Sequence, residues 1–496
     1  MGLDAVLLSR IQFALTVGFH YLFPPLTIGL GVLMVIMEGL YLATGNRQYE
    51  ALAKFWTRLF GLIFAIGVAS GIVMEFQFGT NWASYSRYVG DIFGAALAAE
   101  GIFAFFLESG FLAVLVFGWE RVSPGMHFFS TIMVSLGSIF SAIWIIVANS
   151  WQQTPAGFEL ITQTLADGTT LTVAQLTDFW EAVFNHSTAQ RLLHVLIGAM
   201  IAGGFLVLSV CSYYLLRGRH VDFARRGIAI ALPFSLVFSI LALISGDWQG
   251  KNVGRHQPAK LAAMEGLYRT QTRAPLHLFG VPDDAAQRVR YGLAIPGLLS
   301  YLTHGDAGSE VIGLDAFPPQ DRPPVQLTFQ SFHAMVGLGV FMIVLTIVGA
   351  ILLAAGKLYS QRWLLWIFVF AIIAPMAANQ LGWIAAEVGR QPWIVYPQYE
   401  MRDGRLTAAG GLRTADAHSK AVDAAEVLTS IIVVSVIYLL LLVTWLYVFD
   451  RKIRAGPETP AELEAAAARR RPGWVAVAAA RADHAGPSLT DARNAD

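Results

Sequence analysis

The sequence predicts an all-α integral membrane protein with nine transmembrane helices in bundles and an extracytoplasmic loop. Three observations carry that expectation. Hydrophobic residues fill 55% of the 496 positions and charged residues only 14%, a balance foreign to soluble domains. Apolar runs long enough for a hydrocarbon core of about 30 Å, meaning about 20 residues, occur nine times. Lys and Arg collect in alternate short loops, while 34 basic and 34 acidic residues cancel overall. That balance gives no charge signature of a nucleic-acid or acidic-substrate partner.

The runs lie near 11–43, 55–78, 93–119, 127–150, 189–216, 227–246, 327–355, 363–387 and 425–449. The first is over-long and carries Pro24-Pro25, which predicts a kink whose freed carbonyls are satisfied inside the bundle. Met1 to Arg10 shows no basic n-region or small-residue cleavage site, so the first run is expected to stay as a helix. The single cysteine, Cys211, lies in an apolar stretch and excludes an intramolecular disulfide or a cysteine-ligated metal site. Metal ligands must then be His, Met or carboxylate.

Short loops set orientation because Lys and Arg stay on the cytoplasmic side. One set holds Arg47, Lys54 and Arg58; Arg121; Arg217, Arg219, Arg225 and Arg226; Lys357 and Arg362; and Arg451, Lys452 and Arg454. The alternate set holds Arg10 and Arg87, with no Lys or Arg from 152 to 188. The N-terminus is expected outside and the C-terminus in the cytoplasm. The loop 388–424, with Arg390, Arg402, Arg405, Arg413 and Lys420, points the other way. The expected organisation is six helices over 1–246, an extracytoplasmic lobe or flap over 247–326, three helices over 327–450, and a partly disordered cytoplasmic tail over 451–496 that includes Arg469-Arg470-Arg471.

An ionisable group deep in a span costs roughly 2.5–3.5 kcal/mol, so His20, Glu100, Glu108, His194, His333 and Glu387 each need a reason. His194 lies about five residues and Met335 about eight residues in from the same face, similar depths at about 1.5 Å per residue. A His and a Met on two helices at matched depth suit axial ligation of one low-spin iron. Each residue also has a plain structural reading. A lone intramembrane His is more often a helix-packing partner, Met335 is an ordinary gap-filler, Glu100 and Glu108 are equally served by Arg or Ser partners, and His333 snorkels near the interface. His186 precedes its span and reads as an interfacial loop residue. Residue chemistry alone fits a proton-coupled transporter nearly as well as a haem enzyme. A bis-histidine dihaem cytochrome is disfavoured by too few intramembrane histidines.

Several runs decide between these readings by resemblance. LSRIQFALTVGFHYLFPPLTIGL, AAEGIFAFFLESGF, SAIWIIVANSWQQTP, AQRLLHVLIGAMIAGG, QSFHAMVGLG and GWIAAEVGRQPW resemble the large subunit of cytochrome bd-type quinol oxidases over nearly the whole membrane part. The resemblance implies that His20, with Arg10 close by, is a ligand of one active-site haem. It implies that Glu100 and Glu108 serve the haem pair and proton delivery, with Ser141 and Asn149 near the same pocket. His194 and Met335 match the ligands of a low-spin haem b. In the twelve-residue signature, Trp383, Glu387 and Arg390 hold the key positions. Glu387 then ligates the second active-site haem, and Arg390 partners haem propionates through a guanidinium suited to carboxylates.

GDWQGKNVGRHQPAKLAAMEG is similar to that family's quinol-binding loop, in its short form, with Lys260 and Glu265 as the residues that matter for quinol oxidation. Without the resemblance, those two would read as a helix-surface salt bridge worth under about 1 kcal/mol. GLRTADAHSKAV looks like the cyanide-insensitive branch, whereas the insert PQYEMRDGRLTAA departs from the pattern. The implied cofactors are a low-spin haem b, a high-spin haem b, and either haem d or a further haem b. Which active-site haem takes His20 and which takes Glu387 stays open. The implied partners are a second related membrane subunit (subunit II), a small single-helix subunit, ubiquinol or menaquinol, and O2, in a bacterial cytoplasmic (inner) membrane.

Overall fold

A computed structural model describes residues 4–468 apart from 165–167, 169, 403 and 404. The tail from 469, with Arg469-Arg470-Arg471, lies outside the described residues.

The first apolar run is two helices. α1 (Ala5–His20) is capped by the Asp4 carboxylate, which accepts from the Val6 and Leu7 N–H groups. α2 (Pro24–Thr44) begins on the two prolines and ends at Gly45, φ 67°. Neither proline can donate to the preceding turn, so the His20 carbonyl accepts instead from Phe23 N at 3.1 Å. The expected kink is thus a tight break closed by its own turn.

α3 (Arg47–Gly79) runs back alongside. The run expected at 93–119 is not one uniform helix. It comprises α4 (Ala83–Glu100), a π-helical turn over Gly101–Phe105, and α5 (Phe106–Phe117). Among the described residues, eight other helical segments are long and apolar enough to cross a membrane. A count of nine rests on this interrupted one. α6 (Pro124–Gln153) leads to a hairpin, β1 (Phe158–Thr164) with β2 (Thr170–Leu176), then to the short α7 (Phe179–Val183) and α8 (Thr188–Leu216).

α9 (Val221–His256) continues about three turns beyond its expected end at 246 before α10 (Pro258–Glu265) turns away at Gln257. The segment from 247 therefore opens as helix, which corrects the expectation of a loop starting there. The remainder is a lobe of paired strands β3 (Gln271–Thr272) and β6 (Glu310–Val311), a hairpin of β4 (Leu276–Asp283) and β5 (Arg288–Ile295), and α11 (Leu298–His304). It has its own apolar core around Leu261, Leu267, Leu299 and Leu314.

α12 (Val325–Ala354) returns to the bundle. α13 (Arg362–Ala371) and α14 (Ile373–Val388) break at Ile372, because Pro375 cannot donate to the Ala371 carbonyl. β7 (Trp393–Val395), β8 (Gln398–Arg402), β9 (Arg405–Ala409), β10 (Leu412–Arg413) and α15 (Thr414–Ala417) precede α16 (Ala424–Ala455), which opens with an Asp423/Glu426 capping box. α17 (Pro460–Ala468) packs on α3 with Leu463 buried, so the start of the tail is docked helix.

α8 is the central helix: 78% of its most apolar window is buried, against 11% for α16. It crosses α2 at Gly29 and Gly203, where a Cβ on either glycine would run into the other helix's backbone. This is the small-residue contact by which membrane helices gain packing without a hydrophobic drive. One end of the bundle gathers the Arg-rich loops: Tyr214 OH donates to Ile453 O at 2.6 Å, and Lys54 lies 3.8 Å from Glu458. The other end joins the remaining loops, with Tyr396 N donating to Gln152 O at 2.9 Å. At this second end, Arg390 pairs with Glu387, Arg413 with Asp321, and Arg402 with Glu400.

Candidate functional site

A single polar network joins the ends of α6, α8, α10 and α14. Glu387, in the last turn of α14, accepts from Asn149 Nδ2 at 3.1 Å and Gln153 Nε2 at 3.2 Å through one oxygen, and from Arg390 through the other. Arg390 also donates to Gln152 Oε1 at 2.7 Å. Arg191, on α8, donates to Asn149 and lies 4.0 Å from Glu387. Gln153 Oε1 in turn accepts from Lys260 and from Gln257 Nε2 at 2.9 Å. The signature glutamate and the loop lysine therefore share one glutamine side chain.

Lys260 is 1% exposed and also donates to Gln257 Oε1 at 2.8 Å. Burial first, and then the Arg191 guanidinium, holds its ammonium well below the ordinary lysine range, with Glu387 opposing. Glu265, 3% exposed, keeps Oε2 without a hydrogen-bond partner. Burial pushes its carboxyl up to about 8. The salt-bridge reading of this pair fails, since both of Lys260's bonds go to glutamines. His333 meets only backbone carbonyls, its Nδ1 lying 2.9 Å from Phe329 O and its Nε2 2.8 Å from His277 O, both of them acceptors. His186 is exposed and stacks on His256, in keeping with a loop position.

His20 and His194 each lean on a serine. His20 Nδ1 is 3.1 Å from Ser70 Oγ, and His194 Nδ1 is 2.8 Å from Ser245 Oγ. Met335 and His194 stand at one level. Gly198 on α8 meets Asn379 on α14, and about one turn from that contact towards the Glu387 end come His194 and Gly382. The Met335 sulfur lies against Gly382, where a Cβ would sit 2.8 Å from it.

Glu100 and Glu108 both reach serines of α6: Ser141 donates to Glu100 Oε1 at 2.9 Å, and Ser138 donates to Glu108. Eight α-helical residues advance about 800°, which would splay the two carboxylates by about 80°. The π turn between them takes up roughly one extra residue, about 100°, and returns them to one face.

Arg10 is not brought into this network. It is exposed on α1, ten residues and about 15 Å of helix before His20. Trp383 sits one turn before Glu387, half-buried. Sequence reasoning missed Arg191, Gln152 and Gln153, all within quoted runs. Arg191 was findable by the insertion-cost argument that flagged the glutamates. It also missed a buried cluster towards the opposite end, where Glu38 accepts from His127 Nδ1 and Thr131 Oγ, both at 2.6 Å.

These residues fit iron porphyrins. Nε2 of His20 and of His194 makes no hydrogen bond among the described residues. Glu387 uses three of about four lone-pair positions. The Nε atoms of Arg191 and Arg390 are buried without acceptors, as suits a ligand bearing carboxylates. Among the described residues no three His, Cys, Asp or Glu converge as a metal site. Side chains that could meet an iron only one or two at a time suit one whose other positions a macrocycle supplies.

The fold and these groups define a multi-pass helical membrane protein with a buried polar network and side chains chemically able to ligate iron. A family model described as cytochrome bd terminal oxidase subunit I matches residues 8–457. The chain is 37% identical over 466 residues to cytochrome bd ubiquinol oxidase subunit 1 of Bacillus subtilis (strain 168), covering 92% of this chain and 95% of the relative. It is 34% identical over 520 aligned positions to cytochrome bd-II ubiquinol oxidase subunit 1 of Escherichia coli (strain K12), covering 92% and 97%. Its structure resembles that of the bd oxidase from Geobacillus thermodenitrificans with TM-score 0.79 and 30% identity, covering 92% of this chain and 100% of the other. The chain belongs to the cytochrome bd terminal oxidase subunit I family, a haem-containing family, and the transporter reading falls away.

Proposed function

We propose that the chain is the haem-bearing subunit of a respiratory quinol:oxygen oxidoreductase. It oxidises quinol at the outer face of the bacterial inner membrane and reduces O2 to water with protons from the cytoplasm, so that a proton motive force builds without pumping. The observation that carries this reading is the Lys260–Gln153–Glu387 connection. It ties the loop that resembles a quinol site to the glutamate that resembles a haem ligand. Both relatives named above are ubiquinol oxidase subunits.

Quinol oxidation releases two protons with two electrons, and a carboxyl poised at about 8 is an acceptor matched to a phenolic donor near neutral pH. Lys260 holds the ring oxygen and Glu265 takes the proton outward. His194 and Met335 hold a low-spin haem b. His20 and Glu387 hold two further groups. The Gln380–Gly18 contact of 2.8 Å sets α14 against α1, and counting residues outward and inward from it separates His20 from Glu387 by about 14 Å of membrane depth. One iron cannot bridge that distance. Arg390 and Arg191 offer their unpaired Nε–H groups to propionates, and Glu100 and Glu108 pass protons arriving from the cytoplasm. When bound, the low-spin haem b, the high-spin haem b and a haem d or third haem b supply electron transfer and the oxygen chemistry. The N-terminus lies outside and the C-terminus inside, α4 to α5 makes the ninth span, and a subunit II and a small single-helix subunit complete the enzyme with ubiquinol or menaquinol as donor.

The test is a reduced-minus-oxidised spectrum of the purified complex with His194→Ala and Met335→Ala. Both substitutions abolish the low-spin haem b signal while the protein still inserts, and unchanged spectra in both refute the ligand assignment. The same spectrum separates haem d from haem b at the third site.

A further inference from the structure

Both histidines assigned to iron are buttressed in the same way, by serines that no sequence motif singled out. Ser70 of α3 faces His20 Nδ1 at 3.1 Å and donates its own hydroxyl to Gly67 O at 2.9 Å. Ser245 of α9 faces His194 Nδ1 at 2.8 Å and donates to Ala242 O at 3.2 Å. In each case the serine spends its one proton on the carbonyl three residues back, so only lone pairs face the imidazole. A ring nitrogen meeting lone pairs must carry the hydrogen. Nδ1–H therefore donates, and Nε2 is left with its lone pair. The opposite tautomer would leave Nε2–H, a buried donor, without an acceptor in the hydrogen bonds of the described residues. Ser70 is 0% and Ser245 2% exposed, so solvent does not compete for either contact.

We propose that Ser70 and Ser245 are positioning residues that fix the tautomer and ring direction of His20 and His194, so that each presents Nε2 to an iron atom. The proposal rests on the haem reading of the site. Accepting from Nδ1–H also makes the imidazole a more basic ligand, which favours the oxidised iron.

The experiment uses the purified complex with Ser245→Ala, Ser70→Ala and, at each position, a Thr and a Val variant. These two have the same shape with and without the hydroxyl. Midpoint potentials of the separate haem signals and rates of haem release to apomyoglobin are measured. Ser245→Ala keeps the low-spin haem but moves its midpoint upward and releases it roughly 10- to 100-fold faster, with Thr restoring native behaviour and Val not. Ser70→Ala spares the low-spin signal and moves an active-site one. Unchanged potentials and release rates in the alanine variants, or Thr and Val variants that behave alike, overturn the proposal. If an alanine variant does not assemble, the Thr and Val pair decides by the same criterion, assembly with Thr but not Val counting for the hydroxyl. A complex with His194→Ala that retains the low-spin haem would instead sink the assignment of His194 as its ligand, on which the Ser245 arm rests.

Discussion

Lys260 and Glu265 share one helix five residues apart, yet they do not pair: the ammonium bonds Gln153 and Gln257, and the carboxylate keeps Oε2 unpartnered in a buried site. A carboxyl left without a cation is neutral at pH 7 and available as a switchable proton acceptor. A salt-bridged one would be permanently charged and inert.

The pH dependence follows from that. Burial raises Glu265 from 4.5 to about 8, so its basic form grows about tenfold per pH unit below 8. Quinol oxidation by the wild type should climb with pH and level off near 8. Glu265→Gln should flatten the profile and lower the rate about 10²- to 10⁴-fold, while oxygen reduction by an artificial donor continues. Equal loss of both activities would place the quinol elsewhere. Linkage has the opposite sign. A raised carboxyl pKa stabilises the fold below 4.5, and that stability is lost as pH rises through about 8. The Gln variant should accordingly melt with less pH dependence across that window.

Gln153 bridges Lys260 and Glu387, and replacing it with Leu leaves buried groups on both sides unsatisfied. Each costs about 1–3 kcal/mol. We expect Gln153→Leu to raise the KM for quinol and shift the haem spectrum together. A double-mutant cycle with Lys260→Met should show coupling, whereas additive effects would mean that the bridge transmits nothing.

Glu38 and His127, each 1% exposed, tie α2 to α6, and His127 Nε2 also donates to Leu115 O at 3.0 Å. Breaking one side of a buried pair is worth about 3–5 kcal/mol. Glu38→Ala should lower the melting temperature of the detergent-solubilised complex clearly, and Glu38→Leu with His127→Leu should recover part of the loss. A variant melting like wild type would show the pair to be dispensable.

At the α2–α8 crossing, Gly203→Leu forces a side chain into the backbone of Gly29. Overpacking of about 1–3 kcal/mol is the minimum expected, because backbone cannot rotate aside as a side chain can. Membrane content of the variant, measured by immunoblot, should fall sharply, with Gly203→Ala intermediate.

Much of the site was legible in the chain, and the residues that were not share a cause. His20, His194, Met335 and Glu387 are costly or unusual inside apolar runs, and GWIAAEVGRQPW carries enough fixed positions to be recognised. Ser70 and Ser245 are common small residues in apolar helices, and their partners are 50 and 51 positions away. Gln152 and Gln153 sat unremarked at a helix end, and the π turn between Glu100 and Glu108 leaves no compositional trace. α9 runs past its hydrophobic end although SGDWQGKNVGRH carries three glycines, because α10 and α11 pack against the extension and outweigh its weak helix propensity.

Membrane residence, the order of the helices and the family were properties of the chain by itself, since hydropathy and motifs are summed along neighbouring residues. Which group bonds which was decided only by the tertiary structure: that Lys260 meets Gln153 rather than Glu265, that both histidines face serines, and that Glu100 and Glu108 share a face. Hydrogen bonds and desolvation depend on what other helices bring within about 3 Å, and no local pattern encodes that.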